Sequence, residues 1–157
     1  MSTKIELTKE EALEGAIMGS KRRLTNIFKE LSDLGHKGLP IGGSWWSNDI
    51  EAACAEIAFS KFIGEEWVGS VNTFSAPDVG KEWQVRYTDL SYGSLIIRNK
   101  DKKNLEQKFV LVTGQTPVFH IKGYITCKNG IKDEFLKNPN NKEPAWFVPQ
   151  SKLLEFN

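Results

Sequence analysis

The chain has 157 residues, of which 39% are hydrophobic and 26% are charged, a composition typical of one compact globular domain. Its 21 Lys and Arg residues are nearly balanced by 20 Asp and Glu residues, which leaves a net charge of +1. No global electric field therefore drives the chain onto nucleic acid or a membrane, and any anion-binding surface must be local. The near-neutral charge also excludes a protein that imitates DNA.

The two cysteines and the N-terminus indicate the compartment. Cys54 and Cys127 form no CxxC pair and have no histidine cluster near them, so we expect two buried thiols in a reducing compartment. The N-terminus is polar, and no run approaches the ~18 apolar residues that suggest a membrane span. We expect a cytoplasmic protein without a membrane partner.

A first helix is expected to begin after Thr8, because Thr8 and Glu11 form a capping-box pattern. Apolar residues then recur at mostly three-, four- and seven-residue steps up to about Leu34, where Gly35 can end the helix. This stripe consists of Leu13, Ile17, Leu24, Ile27, Phe28, Leu31 and Leu34. The opposite face carries Lys21, Arg22, Arg23 and Lys29, for which a solvated surface and a phosphate-facing edge are the alternatives.

A second helix is expected between a glycine-rich loop at 36–47 and Gly64. The capping-box pattern at 48–51 predicts its start, and its buried stripe comprises Ile50, Ala53, Cys54, Ile57, Ala58 and Phe62. The many alanines permit close packing on a sheet. Glu56 lies beside this stripe, so its carboxylate could reach the margin between helix and sheet.

From Trp67 onward the sequence is made of short segments rich in β-branched and aromatic residues, separated by turn residues. The predicted strands are 68–74, 83–88, 94–98, 108–112 and 118–126. A short helix at 130–136 and an edge strand at 145–148 are expected to follow. This order predicts a single α/β domain with a mixed central sheet, and it is consistent with the sheet flanked by helices that the resemblance described below implies.

Four polar residues are expected to converge beside one predicted strand. Because alternate side chains of a strand point to opposite faces, Gln84 and Arg86 share one face and the apolar residues between them share the other. Asp78 precedes the strand by a short bend, which can bring its carboxylate beside the strand's first residues. With Glu56, these side chains could hold Mg²⁺ and orient a phosphodiester. An exposed hairpin with a salt bridge to Arg86 is the alternative.

The order of Glu56 on a helix, Asp78 before a strand, and Gln84 and Arg86 on that strand resembles the three motifs of the PD-(D/E)xK nuclease superfamily. This superfamily includes restriction enzymes, lambda-type exonucleases and resolvases. The part of the chain from Trp45 to the C-terminus is also similar to small bacteriophage proteins of this type. Segments that carry the second resemblance include 95–98, 109–114, 122–125 and 145–151.

The resemblance implies a restriction-endonuclease-like fold, with residues 45–157 as its core and residues 1–44 as an N-terminal helix and loop of the same domain. It implies that Glu56 supports the metal, that Asp78 and Gln84 bind it, and that Arg86 replaces the motif lysine. A neutral glutamine oxygen would hold Mg²⁺ or Mn²⁺ weakly. Arginine cannot act as a base, although it can clamp a phosphate.

From the resemblance we expect a phage-encoded nucleic-acid-processing protein of the host cytoplasm, namely a Mg²⁺-dependent phosphodiesterase acting on DNA in the first place. The alternative is an inactive nuclease-fold domain that binds DNA or a protein partner. The candidate phosphate contacts are Lys21, Arg22, Arg23 and Lys81. For the first helix, an element of a homodimer, a DNA clamp and a lid on the core are the alternatives.

Overall fold

The computed structural model describes residues 2–34, 43–71, 76–139 and 143–157. In chain order these form β1 (Thr3–Glu6), α1 (Lys9–Leu34), α2 (Gly43–Ile63), β2 (Trp83–Thr88), β3 (Leu95–Ile97), β4 (Lys108–Gln115), β5 (Val118–Thr126), α3 (Cys127–Gly130), β6 (Leu136–Lys137) and β7 (Ala145–Val148). Short 3₁₀ turns lie at Asn99–Lys103, Asp133–Phe135 and Gln150–Lys152. The chain is therefore a mixed α/β fold. No helix of the described residues is long and apolar enough to cross a membrane.

The seven described strands form two sheets. The larger sheet has the order β1-β5-β4-β2, in which β2 runs parallel to β4 and the other neighbours are antiparallel. The smaller sheet has the order β3-β7-β6 and is antiparallel throughout. The mixed sheet predicted from the sequence is present, accompanied by a second sheet that the sequence did not predict.

Strand β4 lies at the centre of the fold and is buried on both faces. Val110 and Val112 pack with the residues of α2, whereas Phe109 and Leu111 pack with those of the smaller sheet. A strand covered on both sides has apolar residues at successive positions, as β4 does. The helices therefore cover one face of the larger sheet and the smaller sheet covers the other, where flanking helices were expected.

Several local predictions are confirmed. The Thr8 backbone N–H donates to Glu11 Oε1 at 2.8 Å, and the Glu11 N–H donates to Thr8 Oγ1 at 3.2 Å, which completes the predicted capping box. Strands β2 and β5 have the predicted bounds. Gly64 follows the last residue of α2 with φ of 71°, a conformation that favours glycine.

Other elements differ from the predictions. Helix α2 begins at Gly43 and not at the 48–51 pattern, so Trp45 and Trp46 lie on the helix. The guanidinium of Arg23 lies 5.2 Å from the Trp45 ring centroid, and this contact helps to hold the first turn of α2 on α1. The part of the predicted loop at 36–42, and Gly35 as the predicted helix end, lie outside the described residues. Strand β1 was missed because its sequence is mostly polar, and its stability comes from pairing with β5.

Several elements after α2 also differ from the sequence predictions. The helix expected at 130–136 is replaced by the single turn α3 and the 3₁₀ turn that ends at Phe135. Strand β7 is the middle strand of the smaller sheet and not an edge strand, because it pairs with both β3 and β6. Residues 68–71 are not a strand, and the rest of that predicted strand, 72–74, lies outside the described residues.

Helix α1 presents Gly15 and Gly19 to α2, whereas Leu13 and Leu24 are exposed. A Cβ atom at Gly15 would collide with the Cys54 side chain, and one at Gly19 would collide with the backbone of Ile50. The two helices therefore pack closely along this line. The expectation that the basic residues of α1 occupy a solvated face is wrong for Arg23, which is 5% exposed, because α2 covers that side of the helix.

Candidate functional site

Glu56 lies on the buried side of α2 and is 6% exposed. The Arg22 guanidinium donates to both of its oxygens, from Nη1 to Oε2 at 2.6 Å and from Nη2 to Oε1 at 3.0 Å. The Trp67 indole N–H also donates to Oε1, at 3.1 Å, and Arg22 Nε donates to the Ser70 carbonyl at 3.0 Å. Bidentate arginine–carboxylate pairs are strong and geometrically specific. Glu56 therefore ties α1 to α2 and to the segment that follows α2.

Asp78 lies just before β2, and its Oδ2 accepts the Val85 N–H at 2.8 Å. Burial and the negative charge of Glu56 raise the pKa of Asp78 to about 7, whereas Arg86 and Arg22 act in the opposite direction. Asp78 and Glu56 repel each other when both are charged, and near neutral pH a large share of the Asp78 carboxyl carries a proton.

Gln84 and Arg86 project from the face of β2 that points away from α2. Trp83 and Val85, which alternate with them along the strand, pack in the core with α2. The predicted alternation of side chains between the two faces of β2 is therefore confirmed. Gln84 Nε2 donates to the Ala76 carbonyl at 2.7 Å. The Gln84 side chain also lines a cavity of about 100 Å³.

Arg86 is held on three sides. Its Nε donates to the Ile96 carbonyl at 3.0 Å, its Nη2 donates to Asp101 Oδ2 at 2.8 Å, and its guanidinium lies 4.7 Å from the Phe109 ring centroid. The same Asp101 oxygen accepts the backbone N–H of Arg98 at 2.8 Å. Arg86, which the resemblance compares with the motif lysine, therefore anchors the turn that contains Asp101.

That turn, residues 98–103, is called the basic turn below. Around the half-buried Asp101 it exposes four cations, namely Arg98, Lys100, Lys102 and Lys103. The sequence interpretation treated this region only as a charged connector. The sequence shows four cations within six residues, which could have indicated an anion-binding surface. It does not show that they lie beside Gln84 and Arg86, because that position depends on the contact between Arg86 and Asp101.

A cleft of about 450 Å³ adjoins the basic turn and shares Arg98 with it. Its walls include the aromatic residues Tyr92 and Phe147, together with Arg86. Tyr92 is 78% exposed, which leaves its ring available to a ligand. The cleft thus combines aromatic rings with two guanidinium groups.

In this arrangement, contacts within the chain already occupy the Glu56 carboxylate to which the resemblance assigns support of the metal. Hard cations require oxygen ligands that carry negative charge or have free lone pairs directed at the ion. Both Glu56 oxygens accept hydrogen bonds from Arg22, and one of them also accepts from Trp67, so binding of Mg²⁺ or Mn²⁺ by Glu56 would require these contacts to be released. Among the described residues, no three His, Cys, Asp or Glu side chains form a group that could hold a metal.

The predicted phosphate contacts are divided between the interior and the surface. Arg22 and Arg23 face inward, the former on Glu56 and the latter with Nε 3.3 Å from Asp49 Oδ2. Lys21 and Lys81 are exposed. The two arginines are therefore committed to contacts between α1 and α2.

Comparison with protein-family models, with curated proteins and with solved structures gives no match. The function of the site is therefore argued from its own contacts.

Proposed function

We propose that this chain is a restriction-endonuclease-like domain that binds single-stranded nucleic acid, DNA in the first place, without cleaving it. The contact between Arg86 and Asp101 carries the proposal. It holds the basic turn beside β2, the strand that the resemblance compares with the catalytic strand of the superfamily, and it commits Arg86 to supporting that turn.

The basic turn is suited to phosphate groups. A chain with a net charge of +1 has little general attraction for nucleic acid, so binding requires a local concentration of cations. The four exposed cations of the basic turn provide it. Each phosphate that such a cation neutralises releases counterions, which makes the affinity strongly dependent on salt.

The neighbouring cleft favours single strands over duplexes. Unpaired bases expose their faces, and these stack on aromatic rings and on guanidinium planes, whereas the bases of a duplex are already stacked. Tyr92 and Phe147 supply the rings, and Arg98 joins the cleft to the basic turn. A strand whose phosphates contact the turn can place a base in the cleft.

Absence of cleavage follows from the contacts of the predicted catalytic residues. Glu56 is paired with Arg22, Gln84 with the Ala76 carbonyl, and Arg86 with Asp101. Glu56 would have to release Arg22 before its oxygens could bind a cation, and Arg86 would have to release Asp101 before it could clamp a phosphate. The magnesium requirement inferred from the resemblance stays a prediction that the cleavage assay below tests.

Binding is tested by fluorescence anisotropy with labelled single-stranded and duplex oligonucleotides over a range of salt concentrations. Replacing Lys100, Lys102 and Lys103 by Glu is expected to weaken single-strand binding by about tenfold or more and to flatten its salt dependence. The control replaces three exposed lysines outside the basic turn, Lys4, Lys137 and Lys152, by Glu, which gives the same change in net charge. Equal loss in both variants would contradict a local site.

Stacking is tested separately with Tyr92→Ala. We expect this change to weaken single-strand binding by roughly 1–3 kcal/mol and to leave the weaker duplex binding unchanged. Tyr92→Phe serves as the control, because it keeps the ring. Equal affinities of the unmodified protein for both nucleic-acid forms would contradict the preference for single strands.

Cleavage is tested by incubating the protein with single-stranded and duplex DNA and with RNA in the presence of Mg²⁺ or Mn²⁺. We expect the substrates to remain intact. Cleavage that Asp78→Ala abolishes would overturn the non-cleaving assignment and support the phosphodiesterase hypothesis. The binding measurements would still be interpretable in that case.

A further inference from the structure

Helix α1 exposes an apolar face that the described part of the chain does not cover. Leu13, Ile17, Leu24 and Phe28, called the outer stripe below, have exposures between 44% and 66%. They lie on the side of α1 opposite Gly15 and Gly19, which contact α2. A contiguous apolar patch on a soluble domain commonly marks a surface that binds a partner.

Three residues of the outer stripe, Leu13, Ile17 and Leu24, have the spacing of a coiled-coil seam when Ser20 and Ile27 of the same helix are included. Leu13, Ile17, Ser20, Leu24 and Ile27 follow one another at alternating steps of four and three residues. Such a repeat keeps one narrow face directed at a second helix along its whole length. The occupant that the spacing favours is therefore another helix with the same repeat.

Charges beside the outer stripe favour a second copy of the same helix. Glu14 and Lys21 are both exposed on one flank of the stripe, the acid towards the N-terminus and the base towards the C-terminus. In an antiparallel pair that places Leu13 of one copy opposite Leu24 of the other, Glu14 of each copy lies opposite Lys21 of its partner. The attraction then occurs twice, as two-fold symmetry requires. A parallel pair gives no contact between these two residues.

We propose that the protein forms a two-fold symmetric dimer through the outer stripes of two antiparallel α1 helices, overlapping from Lys9 to Phe28. The proposal does not depend on nucleic-acid binding, because the basic turn and the cleft use other residues. Two copies of the domain would present two basic turns to one nucleic-acid strand.

Light scattering coupled to size-exclusion chromatography tests the dimer with the full chain. The unmodified protein is expected to have twice the monomer mass at micromolar concentrations, and Leu24→Glu is expected to have the monomer mass. Leu105→Glu is a matched control that should stay dimeric, because Leu105 and Leu24 are exposed to 45% and 44%, respectively. Circular dichroism verifies that both variants are folded. A monomeric unmodified protein, or a dimeric Leu24→Glu, would overturn the proposal.

Charge exchange tests the antiparallel arrangement. Glu14→Lys alone and Lys21→Glu alone should each raise the dimer dissociation constant several-fold, measured by sedimentation equilibrium, because each creates like-charge contacts. The double variant, E14K with K21E, should return the dissociation constant close to that of the unmodified protein. A double variant weaker than either single variant would overturn the antiparallel register.

Discussion

The two faces of α1 invert the usual distribution of residues in an amphipathic helix. The inner face, towards α2, carries Gly15, Gly19 and Arg22, whereas the outer face carries the outer stripe. Hydrophobic periodicity located this helix correctly but did not tell which of its faces points inward. In α1 the close approach of backbones and a buried ion pair decided the orientation.

The packing of the inner face against α2 depends on the pairing of the buried charges of Arg22 and Glu56. Moving two ions out of water costs several kcal/mol for each ion, and only good pairing geometry offsets this cost. Arg22 and Glu56 have that geometry, with one hydrogen bond for each carboxylate oxygen. The outer face has no comparable requirement in the monomer. Mutations should therefore have large effects on the inner face and small effects on the outer face.

The largest loss of stability is expected from Arg22→Met. The Glu56 carboxylate would remain buried without its cation, so the free energy of unfolding should fall by roughly 3–5 kcal/mol, measured by urea denaturation. The double variant R22M with E56L removes both charges and should recover most of the loss. A single variant as stable as the unmodified protein would show that the ion pair does not hold α1 in place.

Asp78→Asn should change how stability depends on pH. The pKa of Asp78 is about 7 in the folded chain against 3.8 for an ordinary aspartate, so between these pH values the folded state holds a proton that the unfolded state has lost. The stabilisation is complete below pH 3.8 and is lost as the pH rises through about 7. The loss should amount to a few kcal/mol in the unmodified protein and should disappear in the variant, whose amide oxygen can still accept the Val85 N–H.

Urea denaturation at a series of pH values measures this difference. Asp133→Asn is a control, because Asp133 is exposed and should leave the pH dependence unchanged. A variant that loses stability with pH as steeply as the unmodified protein would contradict the raised pKa of Asp78.

Gly19→Ala tests the close approach of α1 and α2. Alanine normally stabilises a helix by roughly 0.5–1 kcal/mol relative to glycine. At Gly19 the added methyl group would meet the Ile50 backbone, so we expect a loss of about 1–3 kcal/mol in thermal or urea unfolding. Ser20→Ala, one position further along the helix, should be close to neutral. A stabilising Gly19→Ala would mean that the helices are further apart.

The smallest effect is expected from Leu24→Ala, measured at a protein concentration low enough to keep the unmodified protein monomeric. Because Leu24 is exposed, the free energy of unfolding should change by less than about 0.5 kcal/mol. The same substitution at the fully buried Leu95 should cost roughly 2–5 kcal/mol. A large loss at Leu24 under these conditions would show that the outer stripe is covered within the monomer.

Local signals predicted much of the secondary structure. The capping box at Thr8, the end of α2 before Gly64 and the alternation along β2 all depend on neighbouring residues, and the structure contains each of them. The same reasoning misplaced the start of α2 and missed β1. Both elements depend on contacts with distant parts of the chain, α2 on α1 and β1 on β5.

The sequence singled out Glu56, Asp78, Gln84 and Arg86 as candidate site residues but did not predict which residues pair with them. Glu56 lies on α2, whereas Gln84 and Arg86 project from the face of β2 that points away from α2. Nothing in the sequence indicated that Arg22 would bind Glu56 or that Asp101 would bind Arg86, because no local pattern pairs side chains 34 or 15 residues apart.

By itself, the sequence determined the α/β class, the bounds of β2 and β5 and the side chains that share a face of β2, because these follow from hydrogen bonding and side-chain periodicity over a few residues. Tertiary structure alone decided which face of α1 is buried and whether the acidic residues are free or paired. The physical reason is that burial of a charge or of a glycine face is settled by the partner across the interface, and the chain supplies that partner from a distant segment.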